Sequence, residues 1–178
     1  MRKYLIIWSF VMIFALTGCM GGPKADADKI ADRFPTEITI EEGDEQTVIW
    51  ELDDSRTELS LEVQSNYGYI TLEYNGDGIT EDMTAYVTII VYANQSAANV
   101  ALQRELLDWQ VQGVRFDTVR VRRNRYDLAN FAGGQLAYLQ DEATVFEVRI
   151  IADDPTAEIP EEAITSIFET IFQILEAS

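Results

Sequence analysis

The chain has no histidine, a single cysteine, four prolines and only three lysines among its 178 residues. Each scarcity closes off a class of chemistry. Without imidazole there is no Ser-His or Cys-His nucleophile and no histidine metal site. One cysteine allows neither an internal disulfide nor a thiolate cluster. Cationic side chains are outnumbered, 13 against 31 acidic ones, for a formal charge of −18. That balance excludes general nucleic-acid binding, which needs a basic surface against phosphates. Gly-rich phosphate loops, GxSxG elbows and CxxC pairs are absent as well. What is present is an apolar fraction of 47%, with 11% aromatics, on a length suited to one domain. Disordered acidic chains lack that apolar fraction, so a folded core is expected.

The first residues form an address. Arg2 and Lys3 precede an apolar run from Leu5 to Ala15, followed by Leu16-Thr17-Gly18-Cys19. A charged start, a short apolar stretch and small residues before a cut describe a secretory signal. The run falls short of the roughly 20 apolar residues that a membrane-spanning helix needs. Leu16-Thr17-Gly18-Cys19 resembles the lipobox of prokaryotic lipoproteins, and it contains the chain's only cysteine. The resemblance implies cleavage after Gly18 and lipidation of Cys19, hence a membrane anchor on the extracytoplasmic side. The expected division is a signal peptide over residues 1–18, a tether over 19–36 and a single domain over 37–178. Cleavage would leave 160 residues with a charge of −20.

Within the domain, period-two alternation marks strands. Val48, Trp50 and Leu52 alternate with polar neighbours, as do Leu59, Leu61 and Val63, and then Ile70, Leu72 and Tyr74. Asn66-Tyr67-Gly68 is expected to be a turn joining the last two. Thr84 to Tyr92 is apolar on both faces, which places it near the centre of a sheet. Arg115–Arg123, Leu136–Leu139 and Val145–Ala152 are further strands, the last two a hairpin around Asp141-Glu142.

Two helices stand out. Ser96 to Gln112 is capped by Asn94 or Ser96 and closed by Gly113. It carries two apolar faces: Leu102, Leu106 and Trp109 on one, Val100, Leu107 and Val111 on nearly the opposite. The C-terminal helix after Pro160 has one wide apolar face through Ile164, Ile167, Phe168, Ile171, Phe172 and Leu175. A shorter helix is expected between Ala25 and Phe34. Short strand links favour antiparallel pairing. The expected fold is α+β: a two-layer domain, mainly an antiparallel sheet with two helices on one face. The strand-helix echo, Ala137-Tyr138-Leu139, Phe146-Glu147-Val148-Arg149 and the last amphipathic helix resemble small secreted α+β domains of the PsbP/Mog1-like type. That resemblance implies an architecture over residues 37–178 and carries no catalytic or ligand motif.

Candidate sites follow from residue chemistry. Val100, Leu107 and Val111 form a candidate partner face for an envelope protein. Arg115, Arg120, Arg122, Arg123 and Arg125 gather positive charge in eleven residues of an acidic chain, a candidate contact for an anion or an acidic partner. Pairing with the protein's own carboxylates is the alternative use. Trp50, Tyr67, Tyr69, Tyr74, Tyr86 and Tyr92 would either line a ligand groove or pack in the core. Asn75, Asp77, Glu81 and Asp82 are the best oxygen cluster for calcium, but the EF-hand spacing fails at Thr84 and a strand-to-strand turn is the simpler use. The adjacent pairs Asp53-Asp54, Asp153-Asp154 and Glu161-Glu162 lie where turns and a helix start are expected. The sequence therefore predicts a non-enzymatic, lipid-anchored binding or complex-accessory module with no cofactor, no metal and no nucleic-acid partner. A ligand-binding or sensing lipoprotein, using the aromatic face or the arginine segment, is the alternative.

Overall fold

The computed structural model describes residues 22–42, 45–53, 67–121 and 124–177. The lipobox, Cys19, the Leu59–Val63 pattern and Arg122-Arg123 lie outside them. Eight strands form one sheet: β1 (Glu37–Glu42), β2 (Glu45–Leu52), β3 (Tyr67–Gly76), β4 (Met83–Tyr92), β5 (Asp117–Val121), β6 (Asn124–Phe131), β7 (Gly134–Asp141) and β8 (Thr144–Ala152). Their order is β1-β2-β3-β4-β8-β7-β6-β5, and every pair is antiparallel. The helices are α1 (Pro23–Ala31), α2 (Gln95–Val111) and α3 (Glu161–Glu176), with one 3₁₀ turn at Gly78–Thr80. Among the described residues α1 is followed by four strands and a helix, twice, and the fourth strands of the two runs, β4 and β8, meet at the centre. They pair from Met83↔Ala152 to Val91↔Thr144.

β4 justifies its place. Ala85, Val87, Ile89 and Val91 are buried on one face, while Tyr86, Thr88, Ile90 and Tyr92 are half-buried on the other. The first face is the main core. Leu72, Tyr74, Phe146, Val148 and Ile150 continue it across the sheet, and Ile164, Ile167, Phe168 and Ile171 of α3 close over it. Phe168 stacks flat on Tyr126 of β6, with ring centres 3.8 Å apart. Trp50 is fully buried, and its indole N–H donates to the Ala163 carbonyl (3.1 Å), which ties β2 to the first turn of α3.

Two expectations are corrected. The helices do not share a face: α1 and α3 cover the main core, whereas α2 lies on the opposite face against Ile90, Leu136, Tyr138 and Val145. The domain is therefore three-layered over part of its area. The cause is that β4, β7 and β8 carry apolar side chains on both faces, so a second cover is needed. Nor is Asn66-Tyr67-Gly68 a turn as a unit. Tyr67 and Gly68 belong to β3 and pair with Tyr92 and Val91.

The N-terminal boundary also moves. Ala27, Ala31 and Phe34 are buried in the main core, and Arg33 Nη2 donates to the Ile174 carbonyl of α3 (2.6 Å). Residues 23–36 therefore pack as part of the domain.

The β3–β4 link depends on one glycine. Thr80 is fully buried and its Oγ1 donates to the Ile49 carbonyl, so the turn sits directly over Gly76. A Cβ at Gly76 would lie 1.8 Å from the Thr80 carbonyl oxygen. Gly76→Ala is expected to destabilise the domain by about 2 kcal/mol or more through overpacking, measured as a drop in the urea midpoint. Phe168→Ala should cost about 3–5 kcal/mol in the same measurement.

Candidate functional site

α2 starts where the Asn94 side chain accepts from the Ala97 N–H (2.9 Å) and ends at Gly113, whose φ of +90° suits glycine. Its Leu102, Leu106 and Trp109 face the sheet, as the spacing predicts. The second apolar face is uncovered among the described residues: Val100 is 68%, Leu107 57% and Val111 80% exposed. Among the described residues α2 is thus packed on one of its two apolar faces.

Beside α2, on the same side of the sheet, a groove of about 850 Å³ opens. Its floor is Ile90, Tyr92 and Val145, its helix wall Ala97, Val100 and Ala101, and its open end Tyr67. The tyrosines are placed by register. Tyr67 pairs with Tyr92 across β3 and β4, and their rings lie 5.6 Å apart; Tyr69 follows two residues on, 6.2 Å from Tyr67. The aromatic set therefore divides. Trp50 and Tyr74 are core residues, the latter donating to the Pro35 carbonyl (2.8 Å), whereas Tyr67 and Tyr92 line the groove.

Polar groups occupy the rim. The Trp109 indole N–H lies 3.1 Å from both Glu105 Oε1 and the Tyr138 hydroxyl, and the Tyr138 O–H reaches Glu105 at 3.5 Å. Arg149 Nη2 donates to Glu147 Oε1 (2.9 Å). Three carboxylates line the groove, Glu105, Asp108 and Glu147, and two of them already accept from neighbours. Sequence reasoning missed Glu105, Tyr138 and Glu147. They come from α2, β7 and β8, and no local pattern links them.

The other candidates separate. Asn75 is a paired residue of β3, and Asp77, Glu81 and Asp82 lie in the β3–β4 link, where the Asp77 carboxylate accepts from the Gly78 N–H (2.8 Å) and caps the 3₁₀ turn. Among the described residues, no group of three or more Asp, Glu, Cys or His side chains is placed to hold a metal. Asp154 accepts from Thr156 N–H and Oγ1–H (both 2.8 Å), bonds that lower its pKa, so it is a turn former. Arg115, Arg120 and Arg125 are exposed, and none makes an ion pair with a described residue. Among the described residues no helix is long and apolar enough to cross a membrane.

Burial under α2 sets a pH response. The Tyr138 phenol is held well above its ordinary value, first by burial, then by the nearby Glu147 charge. Tyr92 and Tyr126 shift the same way, again chiefly through burial. A phenol raised in the folded state stays neutral while the unfolded chain ionises, so stability is complete below pH ~10 and falls above it. The melting temperature should decline between about pH 10 and 11, and Tyr138→Phe should make that decline shallower while lowering the melting temperature at pH 7.

No protein-family model matches the chain, and no curated protein is similar to it by sequence. Among solved structures, it is similar to the extracellular domain of PknH from Mycobacterium tuberculosis. Identity is 13% and the TM-score 0.42, over 64% of this chain and 68% of that one. A likeness of that size carries no weight for function.

Proposed function

We propose that this protein is a lipid-anchored extracytoplasmic binding protein without a catalytic site, and that it takes a small ligand with an apolar body in the groove beside α2. The open aromatic groove carries this reading. Its volume lies within the range of roughly 300–1,000 Å³ typical of small-molecule sites. Its lining is chiefly apolar, with a few polar groups at the edge to fix orientation. The carboxylates at that edge support binding rather than acid-base work, because Glu105 and Glu147 already accept from Trp109 and Arg149. The lipobox supports the location: acyl chains on Cys19 would anchor through about 0.8 kcal/mol per buried CH₂.

Two experiments test it. Cys19→Ser should abolish labelling by a palmitate analogue and release the protein from the membrane fraction; unchanged labelling would remove the anchor. For the groove, the neutral dye N-phenyl-1-naphthylamine should brighten on binding, and Ala101→Trp, which fills the helix wall, should weaken that binding at least tenfold. The melting temperature should hardly change, because Ala101 is only half-buried. Dye binding that ignores Ala101→Trp would refute the groove as the site.

A second reading, docking of an envelope protein on α2, is favoured by the exposure of Val100, Leu107 and Val111. Val100→Asp with Leu107→Asp should leave folding intact and remove co-purifying membrane protein. Loss of folding would show that the face is structural.

A further inference from the structure

β5 and β6 form the far hairpin of the sheet, and β5 is its edge strand. Their register sets Arg120 directly opposite Arg125. Cross-strand neighbours stand about 5 Å apart at Cβ, and like charges there are destabilising. The protein has carboxylates in excess, yet neither guanidinium makes an ion pair with a described residue. Asp141 lines the same pocket and does not pair with either.

That pocket has a volume of about 440 Å³. Beside the two arginines it is lined by Asn124 and by the apolar side chains Leu139, Phe172 and Leu175. Phe172 and Leu175 come from the last turns of α3, so the pocket joins the arginine hairpin to the end of the core. Edge strands often carry charge to block sheet-to-sheet pairing. One arginine would serve that purpose; two in register add repulsion without adding protection.

We propose that Arg120 and Arg125 bind the phosphate group of a phosphate monoester that carries an apolar chain. A monoester brings −1.5 to −2 charges at neutral pH, matching two guanidinium groups. Its three oxygens let both arginine forks bond at once, whereas a carboxylate is filled by one fork. The apolar side chains beside the arginines give the ester's chain a place to lie. A bound phosphate would offset the repulsion between the two like charges in register. This site is separate from the groove beside α2 and does not depend on it.

The test uses the mature protein with Cys19→Ser, which keeps its own lipid out of the measurement. Calorimetry at low salt with hexyl phosphate should show binding, with inorganic phosphate weaker. Co-sedimentation with phosphatidylcholine vesicles, with and without phosphatidic acid, distinguishes a membrane source of the phosphate from a soluble one. Arg125→Gln should weaken binding at least tenfold. Arg120→Glu should do more: it puts opposite charges in register, so the melting temperature should rise by a few degrees while binding is lost. Binding of hexyl phosphate supports a soluble ester. Arginine-dependent binding to phosphatidic acid vesicles alone supports a lipid headgroup. No binding to either probe, or binding that survives Arg120→Glu, overturns the proposal.

Discussion

The pairing of β4 with β8 is the constraint on which the rest of the structure depends. Each is the last strand of its half of the chain, and each hands over to a helix. Because they meet antiparallel at the middle of the sheet, the two four-strand runs spread outward in opposite directions. A pair buried on both sides has to be covered on both sides. One cover is supplied by α1 and α3, the other by α2. The incomplete reach of α2 then leaves the groove, since one helix does not span the width that two helices cover opposite.

Much of this plan was legible in local pattern. The α3 stripe, the alternation of β3, the two-sided grease of β4 and the dual faces of α2 all follow from side-chain period alone, and each is found in place. What period does not carry is which face of a two-sided strand a helix will choose. That choice depends on the competing helix, α3, far away in sequence. β6 escaped notice because its apolar residues, Tyr126, Leu128, Ala129 and Phe131, break the period of two between Leu128 and Ala129. β1 escaped because three of its six residues are acidic and its only large apolar residues are Ile38 and Ile40.

The sites divide along the same line. The exposed stripe Val100-Leu107-Val111 was visible because helical period separates a second apolar face directly. The arginine concentration was visible as composition, but the opposition of Arg120 and Arg125 needed the hairpin register. The groove was half visible: the tyrosines were named, yet their sorting into core and surface is set by the facing strand. The Trp109–Glu105–Tyr138 cluster was out of reach, since it joins a helix turn to a strand some thirty residues away.

The docking of α1 has a mechanical consequence. In the proposed lipoprotein, three residues separate the acylated Cys19 from Pro23, a reach of roughly 10–14 Å at full extension. Since Ala27, Ala31 and Phe34 are fixed in the core, the packed body cannot drift further without unzipping its own first helix. The molecule would be moored on a short line. Its grooves would sample the layer just above the bilayer, and tension on the anchor would be borne first by the contacts of α1.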